Sequence, residues 1–188
     1  EFAATAEDLL FNRELPLVLP YSKSSFTLNE SSPDALTMQT AIGQGDTLAT
    51  PIHMAMIAAA VANDGVAMTP YLVDRVETYE GTKVRETAPE EFDTLMTAAE
   101  AATLTDLMQG VVENGTAKAL QDVGVSIAGK TGSAEHGDLS EPAHSWFAGF
   151  SNVEDPDIVV CVIAEKAGSG SEAAVPIARQ IFNAYYNN

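Results

Sequence analysis

One cysteine, Cys161, stands in 188 residues, so no internal disulfide can form. It lies in the apolar run Ile158 to Ile163, where a small core hydrophobe is the expected role rather than a nucleophile. Bases are scarce: 9 Lys plus Arg oppose 27 Asp plus Glu, for a formal charge of −18. That balance excludes a nucleic-acid partner, which needs clustered cations to neutralise phosphate. It favours solubility and says little about fold. No apolar run approaches the roughly 18 residues of a membrane span, and no segment has the pattern of a secretory leader. The three histidines, His53, His136 and His144, are scattered without zinc-like spacing. No metal or other cofactor is expected. Hydrophobic residues make up 46% of the chain, enough for one domain with a real core. The chain does not begin with Met, and Glu1-Phe2-Ala3 reads as the middle of a helix, so a piece of a longer or processed protein is expected.

Residues 1–12 have a helical apolar spacing through Phe2, Ala6, Leu9 and Leu10. Pro16 and Pro20 force an extended segment, and serines with Pro33 predict a loop over 21–35. Gly43-Gln44-Gly45 lacks the third glycine and the leading strand of a nucleotide fingerprint, so a tight turn is the expectation. Thr50 and Pro51 cap a helix running to Ala62 that is apolar nearly all round and expected to be buried. His53 in its first turn reads as a packed or exposed residue, not a catalytic one. A hairpin around Glu80-Gly81 follows, then an acidic connector over 88–96. Thr97 and Glu100 form a capping box ahead of an amphipathic helix bearing Leu104, Leu107, Met108, Val111 and Val112. A short helical piece spans Lys118 to Asp122.

Then comes Val125-Ser126-Ile127-Ala128-Gly129-Lys130-Thr131-Gly132-Ser133-Ala134-Glu135. Its period-two apolar lead-in through Val123, Val125 and Ile127 predicts a strand. A lysine between glycines in a half-buried strand has two readings. It discourages edge-to-edge pairing, or it faces an anionic ligand lying along the strand. After a polar loop over Glu135 to Pro142, a second strand covers His144 to Phe150. A turn at Val153 to Asp157 leads to a third strand, Ile158 to Glu165, whose unbroken apolar run predicts burial on both faces. A helix to Tyr186 closes the chain, with Pro176 in its first turn. Short connections imply antiparallel pairing, and the class is α+β.

Taken in order, Ile42-Gly43-Gln44-Gly45, Thr50-Pro51-Ile52-His53-Met54-Ala55, Ala58 to Val66, Val111 to Ala117, Ala128 to Glu135 and Trp146 to Phe150 resemble class B penicillin-binding proteins. The resemblance covers the C-terminal half of their transpeptidase domain, most like the penicillin-binding protein A type, over nearly all of residues 1–186. It implies the β-lactamase/transpeptidase-like α+β fold, an antiparallel sheet flanked by helices. It also implies an acyl-serine mechanism on D-Ala-D-Ala stem peptides of peptidoglycan, with β-lactams as mimics. Residue by residue, it makes Lys130 the group that helps hold the substrate carboxylate and tunes the local charge. Thr131 and Ser133 would offer hydroxyls to that carboxylate, the Ser133 N–H would be an oxyanion-hole donor, and Gly132 would keep the strand edge clear. Ser133 stands where the family often has threonine. Glu135 and His136 fit either the cleft rim or a solvated loop, and Trp146 and Phe147 fit the core.

One departure is severe. No lysine here has serine three residues before it, and no asparagine has serine two before it. The family's S-x-x-K and S-x-N motifs are therefore expected upstream, residues 1–188 forming the back of the domain without the nucleophile. The resemblance implies an extracytoplasmic, cell-surface setting, a parent anchored by an N-terminal membrane helix, and partners in the upstream half of the domain and the cell-wall machinery. A β-lactam-sensing or scaffold domain and a D,D-carboxypeptidase are the alternatives.

Overall fold

Helices pack on both faces of a three-stranded antiparallel sheet in the computed structural model, which describes residues 2–137 and 140–187. The elements run α1 (Phe2–Asp8), α2 (Asp34–Ala41), α3 (Pro51–Ala62), β1 (Val66–Met68), β2 (Arg75–Glu77), β3 (Lys83–Glu86), β4 (Glu91–Thr94), α4 (Ala98–Glu113), a 3-10 helix (Lys118–Val123), β5 (Ile127–Ala134), β6 (His144–Ser151), β7 (Ile158–Ala164) and α5 (Ala174–Tyr186). The α+β class and the helix, three strands, helix order of the second half are as expected. Asp138 and Leu139, inside the predicted polar loop, lie outside the described residues.

The sheet order is β5-β6-β7, with Lys130 opposite Ala148 and Ala148 opposite Cys161. One face carries Ile127, Phe147, Val160 and Val162 against Val175, Ala178 and Phe182 of α5. The other carries Ala128, Phe150 and Val159 against Val61 of α3 and Met108 of α4. Phe147, Phe150 and Phe182 are fully buried. At about 25 cal/mol per Å² of apolar surface, such side chains contribute roughly 2–3 kcal/mol each.

Local chemistry explains the helix starts. The Thr50 hydroxyl accepts the His53 N–H at 3.4 Å, and Pro51 takes the first helical position. The capping box at Thr97 and Glu100 is complete.

Several expectations change. The loop predicted over 21–35 ends at Asp34, where α2 begins. The connector over 88–96 contains β4, which pairs antiparallel with β1. The lead-in through Val123 and Val125 is not strand, because Gly124 turns left-handed (φ 91°) and β5 starts at Ile127. In β7 only Val160 and Val162 are buried, since β7 lies at a sheet edge. On α4, Leu104 and Leu107 are exposed, as are Ile177 and Ile181 on α5. The β2–β3 hairpin forms around Glu80-Gly81, with both strands wholly exposed.

His53 is fully buried and is structural. Its Nε2 lies 2.7 Å from the Leu9 carbonyl oxygen, tying α3 to the end of α1, and its ring meets Phe11 edge-on at 4.7 Å. Nδ1 is buried without a partner, so a second ring proton would find no acceptor there. Burial holds the imidazole pKa below its ordinary value of 6.5, against an opposing contribution from the Leu9 hydrogen bond. The unfolded chain thus takes up a proton near pH 6.5 that the folded chain resists. Stability is complete above that pH and falls as pH drops below it. Thermal unfolding between pH 7.5 and 5.5 should show a smaller acid loss in His53→Gln, whose amide can still donate to Leu9.

Candidate functional site

β5 alternates, and the alternation sorts its residues. Gly129, Thr131 and Ser133 face the α5 side; Lys130 and Gly132 face the α3 side. On the α5 side, the Phe147 ring lies across Gly129, where a Cβ would come within 2.5 Å of Cε2 and Cζ. The Thr131 hydroxyl, buried, sits 2.6 Å from the Thr116 hydroxyl at the end of α4. The Ser133 hydroxyl accepts the Gly170 N–H at 3.2 Å. The Thr131 hydroxyl is therefore buried away from Lys130, whereas exposed Ser133 uses its hydroxyl oxygen as an acceptor and still borders the cleft, and both residues also offer backbone at the strand edge.

On the α3 side a cleft of about 380 Å³ opens beside β5. Lys130, Gly132 and Trp146 form one wall, with Phe11, Met54 and the segment around Gln44 opposite. The Lys130 ammonium donates to the Thr131 carbonyl and enters no ion pair among the described residues. In a chain with three acids for each base, an exposed lysine without a carboxylate partner is open to an external anion. Two further hollows, of about 250 and 350 Å³, are lined almost wholly by apolar side chains with Tyr21 and Tyr71, and hold no cation.

All four residues of Lys130-Thr131-Gly132-Ser133 line this one cleft. Glu135 is exposed; His136 stacks on His144 at 4.4 Å and has its Nδ1 3.8 Å from Glu141, at the hairpin rather than in the cleft. Phe147 is core, whereas half-buried Trp146 reaches the cleft wall. Cys161 is half-buried in β7 rather than in the core, and burial raises its thiol pKa to about 11, which keeps it protonated and unreactive near neutral pH. Among the described residues no group of three His, Cys, Asp or Glu is placed to hold a metal, and no helix is long and apolar enough to cross a membrane. Thr116, Gly170 and the Gln44 side chain were not legible in the sequence as site neighbours, since nothing local marks a contact made over 15, 37 or 89 residues.

Residues 1–183 match the family model described as the penicillin binding protein transpeptidase domain. Peptidoglycan D,D-transpeptidase PbpA of Mycolicibacterium smegmatis is 36% identical over 171 residues, covering 87% of this chain and 35% of that protein. Peptidoglycan D,D-transpeptidase MrdA of Haemophilus influenzae is 33% identical over 171 residues, covering 80% of this chain and 26% of that protein. The chain thus spans about a third or less of these curated relatives. Among solved structures, penicillin-binding protein A from M. tuberculosis as a ceftriaxone acyl-enzyme complex superposes with a TM-score of 0.86 at 30% identity, over 97% of this chain and 42% of that one. An imipenem acyl-enzyme complex of the same protein gives 0.82, at 30% identity over 97% and 41%. The order of motifs, the sheet with Lys130 on its edge strand and the match over residues 1–183 agree: the chain belongs to the penicillin-binding protein transpeptidase domain family.

Proposed function

We propose that residues 1–188 are the substrate-gripping part of a serine-type D,D-transpeptidase that cross-links peptidoglycan. The observation that carries this is the Lys130-Thr131-Gly132-Ser133 edge of β5 bordering a cleft, its ammonium unpaired by any carboxylate among the described residues. A stem peptide ending in D-Ala-D-Ala would lie along this edge as an added strand. Lys130 would hold its terminal carboxylate through a charge-assisted hydrogen bond. A serine on an S-x-x-K segment outside residues 1–188 would attack the D-Ala-D-Ala amide carbon, its proton passing to the adjacent lysine. The carbonyl oxygen would take the negative charge and accept the Ser133 N–H. Collapse would expel D-Ala with a proton on its nitrogen and leave an acyl-serine ester. An amine from a neighbouring stem would then attack the ester and release the serine. β-Lactams would acylate the same serine and stay. The setting would be extracytoplasmic, the parent membrane-anchored and working with the cell-wall machinery.

A fluorescent penicillin should label the parent protein covalently and leave the 188-residue chain unlabelled, as read by in-gel fluorescence. Labelling of the isolated chain would show a nucleophile within these residues. An unlabelled, folded parent would end the enzyme reading.

A further inference from the structure

Two carbonyls of β5 have partners outside the sheet. Gln44 Nε2 donates to the Ser133 carbonyl at 3.1 Å, and the Lys130 ammonium donates to that of Thr131. In an antiparallel strand the N–H and C=O of one residue point to the same side. β6 occupies one side of β5, so the outward Ser133 carbonyl brings the Ser133 N–H outward with it, on the cleft side.

The Gly43-Gln44-Gly45 turn aims the amide. After α2, Gly43 (φ 79°) and Gly45 (φ 73°) both adopt the left-handed conformation. The Gln44 N–H returns to the Gln39 carbonyl at 2.9 Å, closing the turn on α2. At Gly45 a Cβ would stand 2.9 Å from Leu36 Cδ1 and 3.2 Å from Thr40 Oγ1, so the turn packs closely against α2, and its left-handed φ makes any larger residue strained there. Half-buried and fixed at its backbone, Gln44 crosses to β5 over 89 residues of chain.

We infer that Gln44 is a positioning residue for the acyl-transfer reaction: its amide fixes the Ser133 carbonyl and, through the extended Ser133 backbone, aims the Ser133 N–H at the acyl oxygen of the substrate. This rests on the transpeptidase reading above. A donor held in place before substrate arrives needs no reorganisation during reaction, which is where such donors gain their effect.

Gln44→Glu in the parent protein tests it. The glutamate keeps the length but, when ionised, cannot donate to Ser133. Fluorescent-penicillin acylation at pH 7.5 should fall about tenfold, a loss of the order expected for one hydrogen bond. Relative to the unsubstituted protein, the deficit should shrink toward pH 5 as the carboxyl regains a proton and donates again. Gln44→Met, which has no donor at any pH, should be slow throughout. Equal rates at pH 7.5, a Gln44→Glu deficit unchanged from pH 8 to 5, or loss of the cooperative melting transition in both variants would each overturn the inference. An unlabelled unsubstituted parent would overturn the transpeptidase reading and this inference together. A labelled parent with an undisturbed Gln44→Glu would overturn this inference alone.

Discussion

Lys130→Ala in the parent protein is expected to slow acylation by penicillin at least a hundredfold while leaving the melting temperature nearly unchanged. The side chain is exposed and makes no ion pair among the described residues, so truncation costs the fold little. A bound carboxylate, by contrast, loses its charged partner in a cleft walled by Trp146, Phe11 and Met54. Stranding one member of a charge pair that the bound ligand has covered from water costs about 2–5 kcal/mol, and a hundredfold corresponds to about 2.7 kcal/mol. Lys130→Arg should recover only part of the rate, because a planar fork differs in reach and geometry from a point charge. Stopped-flow acylation kinetics with parallel calorimetry separate the two effects. An unchanged rate in Lys130→Ala would return the residue to the other reading considered for it, an edge lysine that deters strand pairing.

Gly149→Ala should be among the most damaging single-methyl changes available, lowering the melting temperature by about 10 °C. Gly149 sits mid-strand in β6, paired with Gly129 on one side and Val160 on the other. An added Cβ would come within 2.4 Å of the Ala128 carbonyl oxygen and 2.7 Å of Gly129 Cα. Both are backbone atoms of the neighbouring strand and cannot rotate away. Relief requires β5 and β6 to part locally, disturbing Phe147 and Phe150, which pack opposite faces of the sheet. Overpacking that moves backbone costs about 3 kcal/mol, and each kcal/mol is worth roughly 2–4 °C at this chain length. Gly110→Ala in α4 is the control. Nothing lies within 4 Å of the Cβ it adds, so it should be neutral or gain up to about 1 kcal/mol from helix propensity.

What could be read from the sequence follows from which interactions are local. The capping box at Thr97, the Thr50-Pro51 start and the three strands of the sheet are encoded by neighbours a few residues apart, and all are present. α2 escaped because Pro33 provides no side-chain cap and Asp34 to Ala41 has almost no apolar face. β4 escaped because Glu91 and Asp93 mask its pairing with β1. On α4, spacing identified the apolar face but not whether anything covers it, and Leu104 and Leu107 are exposed. The Lys-Thr-Gly-Ser edge was legible as a candidate anion site. Which side each of its side chains takes was not, because Thr116 and Gly170, which draw two hydroxyls to the α5 side, come from elsewhere in the chain. Gly43 and Gly45 announced a turn, but not that Gln44 between them reaches Ser133.

The anchors of the β5 edge differ widely in how far along the chain they reach, and this gives the cleft a place in the order of folding. The Thr116–Thr131 contact spans 15 residues, Gly170–Ser133 spans 37, and Gln44–Ser133 spans 89. Closing the longest costs about 1.6 kcal/mol more chain entropy than closing the shortest. The β5–β6–β7 meander can form from near neighbours, whereas the wall opposite Lys130 waits for the most remote closure. A chain arrested before that step would have native-like strands and an ultraviolet spectrum close to the finished protein, yet no enclosed groove. On the function proposed for the cleft, capture of ligand would therefore report completion of the whole tertiary structure, more stringently than any measure of its secondary structure.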